Sequence, residues 1–199
     1  MANRQYEEML YAAKLKLKDR KPEELAEKGN LFYDKEKKEF SFELFGTKTK
    51  VTYPDFVITP EPNMWLALTV FQYMDEADGT PLQEGRMSLS EFKEGGLIRG
   101  SSFDRENDKI LRQLTSGKNP EEIKQAFLEE GGELLEGKAD LCMMFSFLPK
   151  FPLYLNLWFA DDEFPASCKV LFNPSAEHYL KVEAAGTIAG ILLSEALTH

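Results

Sequence analysis

The chain has 199 residues, 43% of them hydrophobic and 29% charged, with 24 basic and 34 acidic side chains for a net charge of −10. That length can bury a core without disulfide or metal staples, and it argues for a single domain spanning 1–199. The acidic balance and the scattered lysines and arginines argue against nucleic acid or an anionic membrane as partner, since both require clustered cations.

Gln5 to Leu17 has helical spacing, with Tyr6, Met9, Leu10, Ala13 and Leu17 on one face. The densest basic run, Lys14 to Lys21, is interleaved with apolar residues and reads as the wet side of that helix. Pro22 opens a second short helix, with Glu23 and Glu24 in its first turn and Gly29 just past its end. From Leu31 to Tyr53 the period changes to two: Phe40, Phe42 and Leu44, then Thr49, Val51 and Tyr53 across a turn at Gly46. This predicts an antiparallel meander with one wet face, and Phe56-Val-Ile58 adds a short strand.

Pro62 begins a helix that runs to Asp75 and is apolar over more than half its surface, which places it centrally. Met87 to Gly100 reads as a loop with a helical turn after Ser88 or Ser90 and a flexible break at Gly95-Gly96. Phe103 to Leu114 is helical. Asn119-Pro120-Glu-Glu is a helix start, with Asn as cap and Pro in the first position. Asp140 to Leu148, Leu153 to Phe159 and Cys168 to Phe172 are three consecutive strands. Val182 to Leu197 is an amphipathic helix whose stripe runs from Val182 to Ala196; its glycines, Gly186 and Gly190, suit close packing against a sheet. Strands fall in two blocks and do not alternate with helices. The fold expected is α+β, a mostly antiparallel sheet packed with helices in a single domain.

No chemical motif dominates. Cys142, Cys168, His178 and His199 are the soft or imidazole ligands, and none has zinc spacing, so no metal site is expected. The two cysteines read as small buried hydrophobes, although they could also face each other across strands. There is no nucleophile elbow and no phosphate-binding glycine loop. The N-terminus lacks the apolar segment of a secretory signal, and no apolar run approaches the roughly 20 residues of a membrane span. A cytoplasmic protein with reduced thiols is the expectation.

The patterned stretch is Leu148 to Ala166. Leu153, Leu155, Leu157 and Phe159 share one strand face; Tyr154, Asn156 and Trp158 share the other. The second face mixes aromatic rings with an amide, as ligand pockets do; alternatively it is core, with the polar tips of Tyr154 and Trp158 satisfied by neighbours. The strand runs into Asp161, Asp162 and Glu163. These acids suit divalent-metal or acid–base chemistry; alternatively Asp161 caps a turn by bonding backbone N–H groups ahead of Pro165. Tyr154, Asn156, Trp158, Asp161, Asp162 and Glu163 are therefore the candidate ligand-binding residues, with Gly95-Gly96 as a lid. A buried Asn156 would need a partner.

Leu148-Pro149, Pro152-Leu153, Leu157-Trp158, Asp161 to Ala166 and Leu171-Phe172-Asn173 resemble a prokaryotic family known as domain of unknown function 3786. Tyr73, Gly79 to Leu82, Ser88 to Phe92 and Gly95-Gly96 agree with it, as does the closing helix. The resemblance implies a bacterial or archaeal, cytosolic context and an accessory role linked to anaerobic redox or one-carbon (corrinoid) metabolism. Some members carry an iron–sulfur domain. Two cysteines cannot supply a four-cysteine cluster, so that cofactor is not carried over and none is assigned. The function expected is binding of a small molecule or a protein partner, with an enzyme using the acidic turn as the alternative.

Overall fold

A computed structural model describes residues 2–198, and side chains from 4 to 197. His199, counted above as a potential ligand, lies outside the described residues. The fold is α+β, with two antiparallel sheets in place of the one expected.

The first helix, α1 (Ala2–Lys18), turns Tyr6 and Leu17 inward, with Leu10 and Ala13 packed beside them. Met9, expected on that face, is exposed. In α2 (Pro22–Gly29) the left-handed terminating residue is Asn30, not Gly29. Asn30 tolerates that conformation. Gly29 stays helical for a packing reason: a side chain there would come within 3.1 Å of Leu31 and 3.3 Å of the Tyr73 ring.

Strands β1 (Phe32–Asp34), β2 (Glu39–Leu44), β3 (Thr47–Thr52) and β4 (Ile58–Thr59) pair in chain order to form the smaller sheet. The β2–β3 turn is Phe45-Gly46, with φ of 47° and 72°. Two left-handed residues in succession match the twist of a tight hairpin, but an aromatic residue is a costly choice there. Tertiary contact compensates. The Phe45 ring packs on Phe147 with centroids 4.8 Å apart, and its N–H donates to the Phe147 carbonyl at 3.3 Å. This hairpin tip joins the smaller sheet to the larger one.

Helix α3 (Met64–Glu76) starts at Asn63, whose side chain accepts from the Trp65 and Leu66 amides. Leu66, Leu68, Val70, Phe71, Tyr73 and Met74 are buried, so the helix is central as its composition predicts. Tyr73 is the polar hub of this core. Its hydroxyl donates to the Gly29 carbonyl at 2.8 Å and accepts from the Lys150 amide at 3.1 Å, while its ring stacks on Tyr179 at 5.4 Å.

The larger sheet has the order β5 (Met87–Ser88), β9 (Ser167–Phe172), β8 (Phe151–Trp158), β7 (Leu141–Leu148), β6 (Glu133–Leu134). Strand β8 begins earlier than expected and contains Pro152. The missing N–H costs little there: β9 pairs only from Leu153 onward, and the β7 register shifts beside Ser146. Strand β5 covers only the end of β9. Part of the remaining edge is capped by α4 (Gly96–Thr115): Asp108 accepts from the Cys168 amide at 2.9 Å, and Arg112 donates to the carbonyl of Ala166, just before β9, at 2.9 Å.

Helix α4 is longer than its periodicity suggests, because its first turns contain Gly96 and Gly100. Both approach the short 3₁₀ turn Leu89–Glu91; a Cβ on Gly100 would lie 2.5 Å from the Ser90 backbone. Gly95 and Gly96, expected at a flexible break, are closely packed, Gly95 on Val182 and Gly96 on the Leu89 and Ser90 carbonyls. Helix α5 (Pro120–Glu129) has the expected Asn119 cap, with Glu122 returning a bond to the Asn119 amide at 2.9 Å. In α6 (Val182–Thr198) the glycines do allow close packing, but against a helix: a Cβ on Gly186 would meet the Phe103 ring of α4 at 2.6 Å. The stripe from Val182 to Leu197 joins the leucine face of β8 in one hydrophobic core.

Replacing Tyr73 by Phe strands a buried carbonyl and an amide. The expected cost is about 1–3 kcal/mol, seen as a lower urea midpoint with an unchanged m-value. An unchanged midpoint would show that the hydroxyl is dispensable.

Candidate functional site

Leu153, Leu155 and Leu157 are buried, while Tyr154 and Asn156 are half-buried and Trp158 is exposed. The two-faced reading of β8 therefore holds. Asn156 sits between Cys142 and Lys169 on the outer sheet face, where water can solvate its amide. Among the described residues no buried side-chain polar atom lacks a partner.

The six candidate residues do not converge. Trp158 and Asp161 share a hollow of about 420 Å³ with Asp140, Phe159, Phe164, Pro165 and Ser167. Asp162 and Glu163 are not in its wall, and both are exposed. Asp161 serves the turn: one carboxylate oxygen accepts from the Glu163 amide at 2.9 Å and the Phe164 amide at 2.7 Å. The Phe164 and Glu163 amides hold its carboxyl below the usual aspartate range. Among the described residues no three His, Cys, Asp or Glu side chains gather as metal ligands would. Cys142 pairs across the strand with Asn156 and Cys168 with Leu157, so the thiols lie on opposite sheet faces. Burial, with the charges of Asp108 and Asp104 behind it, pushes the Cys168 thiol up to about 12.

Tyr154 belongs to a different site. It lines a groove of about 540 Å³ between the two sheets. One wall comes from the smaller sheet and its approach: Asn30, Phe32, Ser41, Phe42 and Glu43. The other comes from the β7–β8 hairpin: Met144, Ser146, Leu148, Pro149, Pro152 and Tyr154, with Leu82 at the rim. Phe32 is 67% exposed and Leu82 44%, although both are apolar. The Arg86 guanidinium lies over the Tyr154 ring, 4.5 Å from its centroid.

Leu82 and Arg86 lie on the irregular segment 77–86, which a polar scaffold fixes in place. Buried Asn173 accepts from the Gln83 amide at 3.0 Å and donates to the Gln83 carbonyl at 2.8 Å. Tyr179 donates to the Thr80 carbonyl, and the His178 ring pairs with Asp78 at 2.7 Å. Desolvation works to raise the Asp78 pKa, but hydrogen bonds from Thr80 and His178 outweigh it and bring it down to about 2. His178 also lines a charged cleft of about 410 Å³ with Glu76, Lys93, Glu94, Glu177 and Lys181. Among the described residues Asp78 is its side-chain partner, and the nearby Ser175 hydroxyl bonds Asn173, so no nucleophile is held against the ring.

Residues 21–195 match a family described as a domain of unknown function, DUF3786. The chain belongs to the DUF3786 family. Helix α1 lies before the matched span, and every groove residue falls inside it. No curated protein and no solved structure matches the chain. Among the described residues no helix is long and apolar enough to cross a membrane.

Sequence reading missed the groove because its walls are over 100 residues apart. Glu43 and Met144 acquire a shared role only once Phe45 has docked on Phe147. The one local signal was Tyr154, on the polar side of β8.

The depressed Asp78 pKa stabilises the fold above its ordinary value of 3.8, and that contribution is lost as pH falls through about 2. The Tm gap between the protein and Asp78→Asn should accordingly narrow across that window. A gap independent of pH would show that the carboxylate charge does not stabilise the fold.

Proposed function

We propose that this family member is a binding domain whose ligand lies in the groove between the two sheets. The observation that carries this reading is the groove's composition. Eight of its twelve lining residues are apolar or aromatic, and they meet four polar ones, Asn30, Ser41, Glu43 and Ser146, in one concavity. Its volume falls within the roughly 300–1,000 Å³ usual for ligand sites. Exposed Phe32 and Leu82 at the rim gain from any apolar occupant. A small molecule or an apolar segment of a protein partner satisfies the same walls.

Less supports an enzyme built on Asp161, Asp162 and Glu163. Asp161 is committed to backbone amides, and the other two acids stand outside the Trp158 hollow. The link to anaerobic redox or one-carbon metabolism rests on the family resemblance alone, and the groove proposal stands without it.

A neutral apolar dye such as Nile red should bind with a blue-shifted emission. Leu82→Glu should weaken it about fivefold, the factor expected for roughly 1 kcal/mol of lost apolar contact. Phe164→Ser, in the Trp158 hollow, should leave the affinity unchanged. Equal affinities for the protein and Leu82→Glu would reject the groove as the site.

A further inference from the structure

The chain contains six arginines, and five of them have a polar side-chain partner. Arg4, Arg20, Arg99 and Arg112 each reach a carboxylate, and Arg105 bonds the Ser102 hydroxyl. Arg86 is the exception: among the described residues it has neither ion-pair partner nor hydrogen-bond acceptor, in a chain where acids outnumber bases by 34 to 24. It rests on the face of Tyr154, a groove residue. A cation–π contact uses the charge of the guanidinium and not its N–H donors, so those donors remain open to an acceptor. The backbone behind it is fixed, since both main-chain groups of Gln83 are bonded to Asn173.

We infer that the groove takes an amphipathic monocarboxylate, its hydrocarbon tail between the sheets and its carboxylate on Arg86. This rests on the groove being the binding site and adds the chemical class of its occupant. The planar fork of Arg86 matches the two oxygens of a carboxylate. A single guanidinium balances one negative charge. A phosphate monoester brings nearly two, and it would face Glu43 in the wall and a net charge of −10 around it. The same acidic surface disfavours collecting the ligand from an anionic bilayer, so the occupant is a free, monomeric acid. Tail length tunes affinity through apolar burial, and the head group sets selectivity.

The test is calorimetry with dodecanoate, dodecanol and dodecylamine, each below its aggregation concentration, on the full chain, Arg86→Gln and Leu82→Glu. Dodecanoate should bind about tenfold more tightly than dodecanol. Arg86→Gln should erase that preference, leave dodecanol unchanged and keep the protein's Tm, since Arg86 is exposed. Leu82→Glu should weaken both ligands. Equal binding of acid and alcohol, or preference for the amine, overturns the inference while the groove reading survives. Dodecanoate binding that is indifferent to Leu82→Glu places the ligand elsewhere and overturns both, as does failure of all three to bind.

Discussion

The carbonyl of Gly29 and the amide of Lys150 meet at one phenol, that of Tyr73. Neither group has a strand or helix partner at that point, and both lie at the ends of elements that build the groove. Gly29 precedes Asn30 and Phe32 on one wall; Lys150 sits between Pro149 and Pro152 on the other. A buried hydroxyl that both donates and accepts can fix two chain ends at a set separation, which an apolar side chain of the same shape cannot. Stacking on Tyr179 extends the constraint to the segment that carries Leu82 and Arg86, because Tyr179 holds Thr80. The width of the groove thus traces to a few polar contacts in an otherwise apolar core.

The second constraint is the docking of Phe45. A tight turn ordinarily takes Asn or Gly at this position, and the aromatic side chain is tolerated because it is spent on the other sheet. Local preference and tertiary packing disagree here, and packing prevails. The same resolution occurs at Gly96 and Gly100, poor helix formers that are retained because Ser90 approaches too closely for a side chain. In both places the residue type is explained by what stands opposite it, not by the element it belongs to.

Legibility in the sequence followed that division. The Asn119 cap, the closing helix and the leucine face of β8 depend on spacing within one segment, and all were readable. The first turns of α4 were not, because glycine argues against helix until its neighbour is known. One sheet was expected where two exist, since strand order is set by pairing across distant residues. The Tyr154, Asn156 and Trp158 side of β8 was recognised as distinct, but alternation cannot tell an open face from a covered one. Asn156 would need a partner only if buried, and it is half-buried with water in reach, while Tyr154 and Trp158 share a strand face yet serve separate hollows.

The strands at the sheet margins have a further consequence. β1 has three residues, and β4, β5 and β6 have two each. At the start of β9, Asp108 and Arg112 of α4 cap the Cys168 amide and the Ala166 carbonyl. The terminal strands are therefore too short to template another strand along their own length. Recognition by strand addition, a common route for extended peptides, finds little template in these terminal strands. Short margins of this kind favour partners that engage side chains on a face or within the groove, and they limit the edge-to-edge association that leads to aggregation.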